Sequence, residues 1–209
     1  MAERALAAAP RHFALLGLSM GGYVAFEILR RAPERVTRLA LLSSQARADT
    51  EEALARRRGL MALAEKGEFK GVSPRLLPLF VHRDRLGDPA LTATILAMAE
   101  SVGKEGFLRQ QEAIMGRPDS RPGLGAIACP TLVLAGREDA VTPPERQIEM
   151  AEAIPEATLV LLPRCGHMAP LERPEARDAV EQVLPRRHGI VQVRQRADHR
   201  AGLVVRGRV

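Results

Sequence analysis

Short apolar runs alternate with helically spaced apolar residues near the start of the chain. Residues 12–19 (HFALLGLS) and residues 35–44 (RVTRLALLSS) are apolar runs of strand length. Between them, apolar residues recur at helical spacing until Pro33 ends the pattern. Strands that are continuously apolar are typical of a parallel sheet that helices cover on both faces. The pattern therefore predicts a strand–helix–strand unit with parallel strands.

The next segment, residues 45–123, contains helical stretches and no convincing strand. Helix-start signals divide it into four helices, and two of these signals are an N-cap residue followed by proline. The signals lie at Asp49 or Thr50 for a helix to about residue 66, at Ser73-Pro74, at Asp88-Pro89 for a helix over 89–102, and before EGFLRQQEAIM at 105–115. We expect an all-helical insertion here.

The strand–helix alternation then returns. Strands are predicted at 129–136 and 157–163, each followed by a loop and a helix. Thr142 is the predicted N-cap of the first of these helices, with Pro143 at the first helical position and Glu145 completing a capping box.

These elements predict an α/β fold with a parallel half-sheet of about four strands flanked by helices. The core comprises residues 1–44 and 124–185, the helical insertion comprises residues 45–123, and residues 186–209 form a basic tail.

A serine lies on the predicted turn between the first strand and its helix. Residues 17–21 (GLSMG) match the G-x-S-x-G pattern, in which a sharp turn holds a serine hydroxyl out from the strand end. A glycine-rich turn whose serine only caps the helix is the alternative. To act as a nucleophile, the Ser19 hydroxyl needs a general base, usually histidine, and that base needs a carboxylate to orient it.

One histidine and one acid lie where such partners are needed. Of the five histidines, only His167 lies in a loop after a predicted core strand. Loops after parallel strands gather at one edge of the sheet, which is also the edge of the Ser19 turn. The same reasoning selects Asp139 ahead of the adjacent Glu138. For each residue alone, a structural loop histidine or a capping aspartate is the alternative.

Three segments resemble the alpha/beta-hydrolase fold family, close to its small esterases and lactonases. GLSMGGYVAFEILRRAPERVTRLALLSS resembles the nucleophile elbow with its following helix and strand, PTLVLAGREDAVTPP the acid loop, and LLPRCGHMAPLERPEA the histidine loop. The resemblance covers roughly residues 5–185, and the order Ser, Asp, His is that of the family.

The resemblance implies a serine hydrolase that cleaves a carboxylic ester or lactone with a Ser-His-Asp triad. Ser19 is then the nucleophile, Asp139 the acid and His167 the base, and the Met20 backbone N–H is an oxyanion donor. The insertion resembles the helical cap that covers such sites. Met20, Val141 and Met168 lie beside the three loops, where they line an apolar substrate pocket or pack in the core.

The chain departs from the family before the nucleophile elbow. Family members usually have four more strands there, and the loop after the third supplies a second oxyanion N–H. We therefore expect an incomplete version of a longer hydrolase, or a half-sheet completed by another chain. The strand at 13–18 would then have a free apolar edge that invites pairing and homo-oligomers. The alternatives to ester hydrolysis are a catalytically impaired interaction module and acyl transfer or perhydrolysis with the same triad.

The excess positive charge is confined to the tail. Residues 1–184 hold 24 basic and 24 acidic residues, whereas residues 185–209 hold seven arginines and one acid. Nucleic-acid binding is therefore not expected. We expect a disordered or non-native extension, with a hairpin of IVQVRQ and LVVRGRV as the alternative.

The remaining composition limits location and cofactors. No apolar run reaches the length of a membrane span, and the N-terminus does not resemble a secretory signal. Two cysteines, Cys129 and Cys165, are too few for a disulfide framework and suit a reducing cytoplasm. With one histidine nearby they form no metal-ligand set, so no metal and no other cofactor is expected.

Overall fold

Six strands form one sheet in a computed structural model that describes residues 1–68 and 74–184 and the backbone of residues 190–193 and 203–206. The strand order is β4-β3-β2-β1-β5-β6. The strands are β1 (Phe13–Leu18), β2 (Val36–Leu42), β3 (Thr131–Gly136), β4 (Ala157–Leu162), β5 (Ile190–Val193) and β6 (Leu203–Arg206).

Eight α-helices lie within the described residues and connect or cover these strands. They are α1 (Ala2–Ala8), α2 (Met20–Arg31), α3 (Glu51–Leu63), α4 (Leu77–Phe80), α5 (Pro89–Met115), α6 (Pro144–Ala153), α7 (Ala169–Glu172) and α8 (Glu175–Val183). None of the described helices is long and apolar enough to cross a membrane.

Strands β1 to β4 are parallel and in close register. Leu18 lies beside Leu42, which lies beside Leu134, which lies beside Val160. All four strands therefore end at the same edge of the sheet, and the loops that follow β1, β3 and β4 meet there. The predicted parallel arrangement of four core strands flanked by helices is confirmed.

Both faces of the sheet are buried, which explains why the strands are continuously apolar. On one face, Leu15 and Leu39 pack with Ile28 of α2 and Met150 of α6. On the other face, the side chains of alternate strand residues pack against α8 and against Leu184, which follows it. Each strand therefore contributes side chains to two cores.

The segment between β2 and β3 is helical, as predicted. Its described part, residues 45–68 and 74–123, contains no strand. Thr50 caps α3 by accepting the Ala53 N–H, and Asp88 caps α5. Helix α5 is interrupted at Gly103, whose φ is 65°, which matches the predicted end of one helix and start of the next. The predicted start at Ser73 lies outside the described residues.

Two expectations need correction. Thr142 is not the N-cap of α6, because the helix begins at Pro144 with Pro143 as its N-cap and the Thr142 hydroxyl donates to Asp139 instead. The edge of β1 is not free, because β5 pairs with it in parallel and β6 pairs antiparallel with β5. The hairpin alternative for the tail thus describes these two strands. The homo-oligomer stays a prediction, without the free β1 edge as its basis.

Candidate active site

Ser19 lies on a strained turn between β1 and α2. Its φ of 51° and ψ of −115° fall in a region that non-glycine residues rarely adopt. The turn brings backbone segments very close together, since a Cβ on Gly17 would lie 2.4 Å from the Gly21 carbonyl oxygen. The G-x-S-x-G spacing therefore follows from a turn that only small residues can form around the serine.

The carbonyl of Ser19 is held by two donors. The Gly22 N–H and the Ser44 hydroxyl each donate to it at 2.9 Å. The carbonyl of Ser44 in turn accepts the buried Gln147 side-chain amide at 2.6 Å, and the same amide lies 3.3 Å from the Thr142 carbonyl. A buried polar network thus connects the serine turn to the loop after β3. Sequence reasoning missed Ser44 and Gln147, for which neither spacing nor a motif gave a signal.

Ser19, His167 and Asp139 form one hydrogen-bonded chain. His167 Nε2 lies 2.9 Å from Ser19 Oγ, and His167 Nδ1 lies 2.9 Å from Asp139 Oδ2. His167 is 2% exposed and Asp139 is 3% exposed, while Ser19 is half-buried. Because a carboxylate only accepts hydrogen bonds, the proton of neutral His167 sits on Nδ1, and Nε2 offers its lone pair to the hydroxyl.

Asp139 is held ionised by its surroundings. Burial raises the pKa of this carboxyl, but the hydrogen bond and charge of His167 and the donors of Thr142 outweigh burial and leave the pKa below its usual value. Oδ1 accepts the N–H groups of Val141 and Thr142 at 2.9 Å, and Oδ2 accepts the Thr142 hydroxyl at 2.9 Å. The neighbouring Glu138 accepts the Cys165 N–H instead and takes no part in the chain of hydrogen bonds.

The loop that carries His167 rests on the helical insertion. The Phe80 ring meets the His167 ring edge-on, with centroids 6.1 Å apart, and the Phe80 carbonyl accepts the Met168 N–H at 3.1 Å. The Glu172 carboxylate, fully buried, accepts N–H groups of this loop. Sequence analysis also missed Phe80 and Glu172, and the available signal for Glu172 was its place as an acidic residue after the apolar segment 168–171.

The three predicted substrate-contacting residues differ in exposure. Met20 and Met168 are 7% and 8% exposed, and Met168 packs with insertion residues Leu77 and Val81. Val141 is 41% exposed beside Asp139. Met20 is the first residue of α2, where backbone N–H groups have no acceptor within the helix. That N–H thus has no partner within α2, and it belongs to the residue directly after Ser19.

Two further features concern metal binding and the thiol near His167. They contain no group of three or more His, Cys, Asp or Glu side chains able to hold a metal ion. Burial raises the pKa of the Cys165 thiol to about 12, so it remains protonated and is a poor nucleophile.

The chain is similar to known proteins over most of its length. Its residues 2–179 match the sequence model of the alpha/beta hydrolase family. The chain is 30% identical over 173 residues to the "Putative non-heme bromoperoxidase BpoC" of Mycobacterium tuberculosis, covering 78% of this chain and 63% of that protein.

Two solved structures are also similar. A thermophilic esterase from Thermogutta terrifontis is 35% identical, with a TM-score of 0.74, over 83% of this chain and 66% of that one. The enol-lactonase from Burkholderia xenovorans LB400 is 29% identical, with a TM-score of 0.74, over 83% and 66%. The chain thus spans a little under two thirds of the length of these relatives.

Proposed function

Because this chain belongs to the alpha/beta hydrolase family, we propose that it is a serine hydrolase that cleaves a carboxylic ester or lactone through an acyl-enzyme. One observation carries the proposal, namely the hydrogen-bonded chain from Ser19 through His167 to Asp139. Nucleophile, base and orienting acid are the three parts that serine catalysis needs, and they lie at hydrogen-bonding distances.

The geometry supports a two-stage reaction. His167 Nε2 takes the Ser19 proton as Oγ attacks the substrate carbonyl, and the Met20 N–H donates to the developing oxyanion. The imidazolium then gives its proton to the departing alcohol. The acyl group remains bound to Ser19. Water, deprotonated by His167, attacks that acyl group, and the imidazolium returns the proton to Ser19 Oγ as the acid is released. Asp139 stays ionised throughout and stabilises the imidazolium.

A small ester or lactone is the substrate class that we propose. Val141 is exposed in the loop that carries Asp139, and the apolar Met20 and Met168 directly follow Ser19 and His167 in sequence. Two of the similar structures are named as an esterase and an enol-lactonase, which are enzymes for these two substrate classes.

The two cysteines form no disulfide with each other, which supports the cytoplasm as the place of action.

Steady-state hydrolysis of short-chain p-nitrophenyl esters and a simple lactone tests the proposal. We expect Ser19→Ala and His167→Ala to lower kcat by roughly 10⁴-fold or more. Ser43→Ala is the control, because Ser43 is a second serine with a positive φ, it is fully buried, and its hydroxyl has no hydrogen-bond partner among the described residues. Wild-type activity equal to that of Ser19→Ala would refute the proposal.

Perhydrolysis by the same residues is the second candidate, favoured by the similarity to a protein named as a bromoperoxidase. In that reaction hydrogen peroxide, rather than water, attacks the acyl group on Ser19 and releases a peracid. Product analysis with peroxide and water in competition distinguishes the two. The second candidate is supported if the fraction of product that is peracid lies far above the fraction of peroxide among the two competing nucleophiles.

A further inference from the structure

A short piece of the helical insertion lies directly on the loop that carries His167. This piece, residues 80–85, follows α4, and the histidine loop comprises residues 163–168. Their backbones approach so closely that a Cβ on Gly166 would lie 2.9 Å from the His82 nitrogen and 3.0 Å from the Val81 carbonyl carbon. Residues 80–85 therefore pack directly against the backbone of Gly166, the residue before His167.

The Glu172 carboxylate lies where these two segments meet. Its oxygens accept the His82 N–H at 2.8 Å, the Gly166 N–H at 3.0 Å and the Met168 N–H at 3.2 Å. Two of these donors are the residues immediately before and after His167, and the third belongs to the insertion. The carboxylate thus holds the backbone on both sides of the imidazole and joins it to residues 80–85.

The burial of this carboxylate calls for an explanation beyond packing. Glu172 is 0% exposed, and moving a carboxylate out of water costs several kcal/mol unless its oxygens are hydrogen-bonded. Among the described residues no cation forms an ion pair with it, and the Arg85 guanidinium donates to the Glu172 carbonyl rather than to the carboxylate. Backbone N–H groups therefore satisfy the oxygens of this side chain, and their directions fix the path of the loop.

We propose that Glu172 is a positioning residue that holds His167 at hydrogen-bonding distance from Ser19 and ties that position to the helical insertion. The insertion then does more than cover the site, because the placement of the base depends on where residues 80–85 lie. The catalytic part of this inference rests on the proposed function. Its structural part concerns hydrogen bonds that are measurable whether or not the chain hydrolyses esters.

Glu172→Gln is the principal variant, because it keeps the shape of the side chain but turns one acceptor into a donor that faces N–H groups. A displacement of the base by about 1 Å costs up to about 100-fold in rate. We therefore expect Glu172→Gln to lower kcat roughly 10- to 100-fold while KM changes less than about threefold. Glu172→Ala, which removes all three acceptor contacts, is expected to lower kcat further.

Glu138→Gln is the matched control. Glu138 also accepts a backbone N–H of the histidine loop, that of Cys165 at 3.0 Å, but it does not hold the residues that flank His167. Both variants are compared by thermal unfolding and assayed well below their melting temperatures. We expect kcat of Glu138→Gln to stay near that of the wild type. Equal losses of kcat in the two variants would overturn the proposal, because general weakening of the loop would then explain both.

Amide hydrogen exchange, together with the NMR signal of the His167 Nδ1 proton, tests the inference without reference to activity. In the wild type we expect the amides of His82 and Gly166 to exchange slowly and at matched rates, because they share one acceptor. In Glu172→Gln both amides exchange faster and the Nδ1 signal shifts or broadens. Fast exchange of Gly166 in the wild type, or an unchanged Nδ1 signal in the variant, would refute the inference. These measurements decide it even if hydrolysis is absent, and the exchange rates of the wild type decide it even if Glu172→Gln fails to fold.

Discussion

At the scale of single residues, the serine turn combines backbone strain with tight packing. A non-glycine residue in a sparsely populated conformation costs about 1–3 kcal/mol, and the surrounding bonds must maintain it. At Ser19 these bonds are the Gly22 N–H and Ser44 hydroxyl on its carbonyl and its own N–H on the Leu42 carbonyl at 2.8 Å. In this conformation the hydroxyl lies 2.9 Å from His167 Nε2.

Gly17→Ala tests how far this turn tolerates change. Its Cβ would lie 2.4 Å from backbone atoms of the same turn, so the turn must move, and we expect a loss of about 1–3 kcal/mol in unfolding free energy with loss of hydrolysis. Gly59→Ala is the control, because Gly59 lies in α3 with no atom within 4 Å of its Cβ position. That variant should stabilise by about 0.5–1 kcal/mol. Denaturant unfolding measures both, and a harmless Gly17→Ala would contradict the close approach.

The site residues that can be predicted from the sequence are those for which both the residue type and the position after a strand are informative. Ser19, His167 and Asp139 each follow a core strand, and parallel strands bring such positions together. Gln147 has no such signal, because it lies on α6 and donates to the Ser44 carbonyl, which only the fold brings near. Thr142 was misassigned for a different reason: its sequence fits a capping box, but the buried Asp139 carboxylate competes for its hydroxyl.

At the scale of elements, a buried ion cluster holds the two ends of the helical insertion together. Asp49 precedes α3 and accepts Arg57 at 2.6 Å and Arg117, which follows α5, at 2.7 Å. The side chains of Asp49 and Arg117 are 4% and 6% exposed. Burial raises the pKa of Asp49, but the hydrogen bonds from the two arginines lower it by more, so the net shift is downward.

Asp49→Ala is therefore expected to destabilise the chain by about 3 kcal/mol, because it leaves buried guanidinium charge without an anion. The pKa of Asp49 is lower in the folded chain than its ordinary 3.8. Its contribution to the free energy of unfolding is therefore complete above about pH 4 and is lost as the pH falls through the pKa of the folded chain. The stability gap between wild type and variant should thus narrow below about pH 4. Denaturant unfolding at several pH values measures this gap.

Glu27→Ala is the control for that measurement. Glu27 pairs with Arg30 and Arg31 on the exposed side of α2, where ion pairs contribute less than about 1 kcal/mol. A loss for Asp49→Ala no larger than for Glu27→Ala would show that the cluster does not stabilise the insertion.

Most elements are predictable because their signals are local. Apolar runs predict β1 to β4, and cap residues such as Thr50 and Asp88 predict where helices begin. The place of β5 beside β1 is not predictable in this way, because it depends on a pairing between residues more than 170 positions apart in sequence. Four residues, 190–193, carry that pairing.

At the scale of the whole molecule, the C-terminal strands complete the sheet. Strand β5 pairs in parallel with residues 14–17 of β1 and carries β6 on its outer side. Without them, an apolar strand of six residues becomes an unpaired edge, which is a site for pairing with another chain.

A chain truncated after Leu184 tests this role. We expect it to self-associate at concentrations at which the full chain does not, as light scattering after gel filtration would show. A chain lacking only residues 207–209, which follow β6, is the control and should behave like the full chain. A monomeric truncated chain of unchanged stability would show that β5 contributes little to the sheet.

The most direct measurement of the central claim is peptide mapping after reaction with a fluorophosphonate, which forms a covalent bond with an activated serine. The account predicts a single adduct on Ser19 that is absent in Ser19→Ala, forms at least about 100-fold more slowly in His167→Ala, and persists in Ser43→Ala. No adduct in the wild type, or labelling of Ser19 at an unchanged rate without His167, would contradict it.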